Sequence, residues 1–171
     1  MFVTYYRNAG PRALTEGAVW YLRARQCART LSRRYNVPLD TVAAIIAVTS
    51  QRVTWKYNLT CTVRALKGQE IRHLGQVVAK VAKLMDGQAP ANVVSGQKIR
   101  AFWRAILGDR DAVVLDSWMM GAIGVKTLTP KQYEIVANNL RLEAKRAGVA
   151  PSTFQAVVWC ALRNELARLP F

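Results

Sequence analysis

Acidic residues are scarce in this chain: 10 Asp and Glu stand against 25 Lys and Arg, which gives a formal net charge of +15 over 171 residues. So large an excess of one sign puts a polyanion first among partners, and nucleic acid first among polyanions. Long apolar runs are missing too. Val42 to Val48, as long as any, falls well short of the roughly 20 residues that a membrane-spanning helix needs, and the arginines are spread over several segments instead of one amphipathic anchor. A membrane surface therefore ranks below DNA or RNA. Cys27, Cys61 and Cys160 are few, odd in number and far apart, which excludes a disulfide framework and gives no zinc or iron-sulfur spacing. They read as small core residues or free thiols. The single histidine, His73, lies among Arg72, Lys80 and Lys83 with no second ligand beside it and reads as a surface residue. No metal or cofactor is expected. The opening residues, MFVTYYRNAGPRA, lack the basic start and apolar stretch of a secretory signal, so a cytoplasmic protein is expected. Strict alternation of apolar and polar residues is absent as well, which argues against a sheet.

What is present is helical periodicity, and 51% hydrophobic residues suffice for a closed core. The expectation is one all-α domain over residues 1–171. Residues 12–35 predict a first helix, with Trp20, Ala24, Cys27, Leu31 and Tyr35 at three-and-four spacing. Its other face carries Arg25, Arg29 and Arg33 every four residues, a stripe that suits phosphates and equally suits solvent. Pro38 and Asp40 mark a turn and cap before an apolar segment with Val42, Ile45, Ile46 and Val48, which ends at Thr49, Ser50 and Gln51. In residues 54–66, Trp55, Lys56, Tyr57 and Asn58 interleave aromatic, basic and amide groups, a pattern that fits base stacking or a core face. After Gly68, residues 71–85 predict an amphipathic helix with Ile71, Leu74, Val78, Val81 and Met85 inward, and Gly87 and Pro90 then give a loop.

The stretch from Asn92 to Gly124 puts a chemical pair into this helical pattern. Lys98 opens an amphipathic helix that carries Ile99, Phe102, Trp103 and Ile106 on one side and Arg100 and Arg104 on another, and that stops at Gly108. An apolar run, Ala112 to Leu115, then delivers Asp116 as N-cap of a short helix holding Trp118, Met119, Met120 and Ile123. A lysine and a carboxylate on consecutive helices form either a catalytic pair or a solvated lysine and a capping aspartate. Two more helices follow. The first runs from Thr129 and Pro130 to Ala147, inward at Tyr133, Val136, Leu140 and Ala144. The second covers 151–168 and buries Phe154, Val157, Val158, Ala161 and Leu162, with Gln155 and Trp159 on a neighbouring face.

This order of features resembles the helix-hairpin-helix superfamily of DNA glycosylases, its endonuclease III-like branch in particular. That family has a hairpin of the form L-P-G-V-G-R-K, an amphipathic helix and an apolar run ending in V-D-T-H. Here the corresponding residues are Val94-Ser95-Gly96-Gln97-Lys98, the helix, and Val114-Leu115-Asp116-Ser117, with the lysine-to-aspartate interval of bifunctional members. Ser50, Gln51 and Asn58 match a second family pattern upstream, and Gln155 to Arg163 is similar to the tryptophan-bearing helix after the catalytic region. Departures are Val93 and Val94 in place of the hairpin proline and first glycine, Trp118 at a usually polar position, and no four-cysteine iron-sulfur loop.

The resemblance implies a compact helical glycosylase-like domain, acting as a monomer on duplex DNA with a damaged or modified base. It implies an N-glycosylase with AP-lyase activity, in which Asp116 stabilises charge at C1′ and Lys98 is the nucleophile. Gln51 corresponds to the wedge that fills the gap left by the extruded base. Backbone contacts fall to Arg52, Lys56, Ser95, Gly96, Gln97 and Arg100, joined by Arg25 and Arg29, and the base pocket to Ser50, Trp55, Asn58, Trp118 and Trp159. Two alternatives share the fold: a base-modifying transferase like phage-associated relatives that act on thymine derivatives, and a DNA-binding protein without chemistry.

Overall fold

Proline and glycine set many of the helix boundaries, proline at first turns and glycine in left-handed turns beyond the ends. A computed structural model describes residues 1–166, and among the described residues there are ten helices and no strand, so the chain is all-α. In order they are α1 Val3–Arg7, α2 Pro11–Tyr35, α3 Leu39–Thr49, α4 Trp55–Leu66, α5 Gly75–Met85, α6 Pro90–Val93, α7 Gln97–Leu107, α8 Ser117–Ala122, α9 Pro130–Arg146 and α10 Pro151–Leu166. Residues 167 and 168, read as the last of the final helix, lie outside the described residues. None of the described helices is long and apolar enough to cross a membrane.

The helices pack as two compact units. One comprises Met1–Arg23 with the chain from Gly108 onward, the other Ala24–Leu107, so the first half of α2 belongs to one and its second half to the other. In the Ala24–Leu107 unit the organiser is α3. Every residue from Val42 to Thr49 is buried, because a helix apolar on all sides has no face to give to water, and α4, α5, α6 and α7 pack around it. One polar cluster sits in this core. Thr49 Oγ1 lies 2.7 Å from the Ile45 carbonyl and 2.6 Å from Asn58 Oδ1, and the Thr62 hydroxyl donates to the Asn58 carbonyl at 3.0 Å.

Two local readings change here. Helix α5 begins at Gly75, not at residue 71, and its inward residues are Val77, Val81 and Leu84; Leu74 and Met85 are exposed. Both sets of apolar residues have helical spacing, and contact with α3 selects the face. His73 is half-buried and engaged. Leu74 N–H donates to its Nδ1 at 2.8 Å, which leaves Nε2 to carry the proton toward the Thr49 carbonyl at 3.0 Å. The isolation of His73 in sequence hid a partner 24 positions earlier.

In the other unit α10 packs against α1, α8 and α9 around Phe2, Val113, Leu115, Met119, Tyr133, Leu140, Phe154 and Val158. Helix α1 is too short to show periodicity and was not legible in the sequence; Tyr6 stacks on Phe154 with ring centroids 4.4 Å apart. Helix α9 opens with a reciprocal cap: Gln132 N–H donates to Thr129 Oγ1 at 3.3 Å, and Thr129 N–H to Gln132 Oε1 at 2.9 Å. The most deeply buried positions of α2 are small ones, Ala13 and Gly17 in this unit and Ala24 and Ala28 in the other, where the larger Trp20, Cys27 and Leu31 are only partly covered.

Gly17 shows why. A Cβ there would lie 2.5 Å from Val157 Cα and 2.6 Å from Val157 N, so α2 and α10 approach backbone to backbone. Helix propensity alone favours Gly17→Ala by about 1 kcal/mol. The clash with main-chain atoms costs about 3 kcal/mol, so the variant is expected to unfold at lower urea concentration than the parent protein. A higher midpoint would contradict the close approach.

Candidate functional site around Asp116

Asp116 arrives at the end of Ala112–Leu115, four buried residues without regular secondary structure. Buried backbone outside a helix must find partners elsewhere. The Tyr133 hydroxyl supplies two, donating to the Val113 carbonyl at 2.8 Å and accepting from Leu115 N–H at 3.1 Å. Burial pushes the Tyr133 phenol up to about 12. This clamp fixes the residue immediately before the aspartate.

Asp116 itself has extended backbone and caps α8. Its Oδ1 accepts from Trp118 N–H at 3.0 Å and Met119 N–H at 3.1 Å, and its Oδ2 accepts the Trp159 indole N–H at 2.8 Å. The capping half of the sequence reading is thus realised, in a residue that stays partly exposed. Around it the surroundings are aromatic. The Arg163 guanidinium lies over the Trp159 ring, 4.6 Å from its centroid, and Trp20 meets Trp159 edge-on at 5.7 Å. Tyr21 donates to Gln155 Oε1 at 2.7 Å, and Gln155 is buried. The Tyr21 phenol is held well above its usual range, first by burial and then by the charge of Asp116. A carboxylate anchored by three N–H donors beside a poorly solvated aromatic wall is suited to stabilise positive charge at a fixed point. Trp118, 38% exposed on the first turn of α8, is the aromatic here open to solvent.

The remaining candidates lie in the Ala24–Leu107 unit. Helix α6 leads through Val94, Ser95 and Gly96 into α7, and Gly96 takes the left-handed turn at φ +82°. The segment is braced: Lys80 Nζ donates to Ser95 Oγ at 2.7 Å, and Arg100 Nε to the Val94 carbonyl at 3.1 Å. Gln97 and Lys98 are partly exposed on the first turn of α7. Trp103 turns to Asp40, donating its indole N–H to Oδ1 at 2.8 Å. Ser50 and Gln51 donate to the Ala47 and Val48 carbonyls at 2.7 and 3.2 Å, tying off the end of α3. Arg52 is exposed and holds φ +57°, a left-handed conformation that a side chain adopts only at a cost of about 1–2 kcal/mol. Trp55 is partly exposed, and Lys56, Arg29 and Arg100 are exposed. Arg25 is half-buried, and its Nε has no hydrogen-bond partner.

Two base-pocket candidates have other partners in the structure. Asn58 is 1% exposed and belongs to the Thr49–Thr62 core cluster, so it offers no edge to a base. Trp159 has Arg163 over its ring, and its indole N–H donates to Asp116. Interactions missed from the sequence are the Tyr133 clamp and the Tyr21–Gln155 link. The shared face of Gln155 and Trp159 was their only trace. Among the described residues no three His, Cys, Asp or Glu side chains gather to hold a metal ion. An open groove of about 550 Å³, lined in part by Asn138, Arg141, Leu142 and Lys145, includes none of the candidate residues.

Two outcomes follow from this geometry. Asp116→Ala removes a cap and leaves the Trp159 indole N–H unpaired, a loss of about 2 kcal/mol in chemical denaturation, whereas Asp116→Asn keeps an accepting oxygen and loses less. For Tyr133 the folded-state value is raised from 10.0 to about 12, so its contribution is full below pH 10 and disappears as pH rises from 10 to 12. Tyr133→Phe should cost about 1–3 kcal/mol near neutral pH and flatten that alkaline decline; an unchanged alkaline melting profile would rule the clamp out.

No match is found among curated proteins or among solved structures. A family model matches residues 1–166, and on that match the chain belongs to DUF7178, described as a family of unknown function.

Proposed function

We propose that this protein is a DNA-binding enzyme of the helix-hairpin-helix glycosylase type that acts on a base turned out of the duplex and cleaves its N-glycosidic bond. The observation that carries the reading is Asp116: a partly exposed carboxylate at the N-cap of a short helix, held by three N–H donors after a buried apolar run. Support comes from the turn at Gly96, which opens α7 just before Lys98, and from the net charge of +15. Stacking hides the sugar C1′ in a duplex, so the nucleotide must leave the helix first, and basic side chains on the backbone offset that cost. As the glycosidic bond breaks, its electron pair leaves with the base, and the negative charge of Asp116 stabilises the cationic sugar. The Lys98 amine then bonds to C1′ and loses a proton to water; opening of the sugar gives a protonated Schiff base, whose positive charge Asp116 also stabilises, and loss of a C2′ proton expels the 3′ phosphate.

Exposed Trp118 favours a second reading, a transferase that stacks a modified thymine on this indole and leaves the strand intact. One experiment separates the two. Duplexes with an abasic site or with damaged or modified bases are incubated with the protein and borohydride, and adducts and DNA masses are read. A trapped adduct that disappears in Lys98→Ala and weakens in Asp116→Asn supports the glycosylase-lyase; a mass gain on uncut DNA supports the transferase. DNA binding should fall steeply with added salt, and binding indifferent to salt would sink both.

A further inference from the structure

We infer that Trp159 is the positioning residue of the proposed site, holding the Asp116 carboxylate in the orientation its chemistry requires; this rests on the base-excision reading. A planar carboxylate needs two fixed points. The N–H groups of α8 hold only Oδ1, so the cap by itself leaves the group free to pivot about that oxygen. The second point is Oδ2, and the Trp159 indole N–H holds it from 43 residues away. The indole is in turn fixed on several sides. Arg163 lies over its ring at 4.6 Å, Trp20 abuts it at 5.7 Å, and one turn earlier on α10 the buried Gln155 accepts the Tyr21 hydroxyl at 2.7 Å. Turning α10 about its axis would break that bond along with the indole contact. With Arg163 over its ring and its N–H engaged, Trp159 acts through Asp116, so its loss should slow the reaction without weakening DNA binding.

The test replaces Trp159 in the full chain with 3-benzothienylalanine, which keeps the shape of the indole and substitutes sulfur for the N–H. Trp159→Phe, which also loses volume, serves as a comparison, and thermal melting reports folding of both. The probe is a duplex bearing one abasic site, under single-turnover conditions. The expected result is strand cleavage slowed about ten- to a hundredfold at unchanged Kd for the duplex, with no further slowing when the same replacement is made in Asp116→Asn. An unchanged cleavage rate, or an equal slowing in the Asp116→Asn background, would overturn the positioning role while leaving the base-excision reading in place. Failure of the unsubstituted protein to cleave or be trapped on the abasic duplex overturns that reading, and the positioning role with it.

Discussion

The Asp116 carboxylate joins three parts of the Met1–Arg23 and Gly108-onward unit. Its Oδ1 completes the start of α8, its Oδ2 receives Trp159 from α10, and its backbone is delivered by a strap that Tyr133 of α9 clamps. A helix start leaves N–H groups without partners, and a nearby indole N–H has the same need when water is excluded. One carboxylate answers both demands. Charge-assisted hydrogen bonds are shorter and stronger than neutral ones, so this junction outweighs the surface ion pairs. Arg12 and Glu16, for instance, pair at 2.8 Å on an exposed helix face, where solvent screens them.

In the Ala24–Leu107 unit the equivalent constraint is apolar. Helix α3 is covered on all sides from Val42 to Thr49, and the polar residue in that stretch is Thr49, whose hydroxyl and carbonyl reach Asn58 and His73. Buried polar groups of this kind are costly unless paired, and the pairing fixes how neighbouring segments meet. The loop before α5 is tied to the end of α3 through His73, and the α3–α4 turn is tied by Ser50 and Gln51. The turn around Gly96 is likewise braced by Lys80 and Arg100. Several side chains read from sequence as available for DNA thus also hold backbone in place.

The helices were legible because their periodicity is local. Val42 to Val48, the Tyr133–Ala144 face and the Phe154–Leu162 face are buried as their spacing predicts. Where two apolar faces compete on one segment, as with Val78 and Val77 in α5, spacing cannot choose, since both sets repeat with the same period. Asp116 as a cap was legible for a similar reason: its partners are two and three residues ahead.

Sequence by itself determined an all-α chain, its basic charge, the helix starts at Pro130 and Pro151, and a capping aspartate after an apolar run. Those properties follow from steric limits on single residues and from contacts within a turn or two of helix. Tertiary structure alone decided that the Trp159 indole N–H meets Asp116, that Asn58 is core, that His73 has partners, and that α2 meets α10 at a glycine. Each of those depends on which residues distant in the chain become neighbours, and helical periodicity, which gives a residue's face but not what that face meets, carries no record of it.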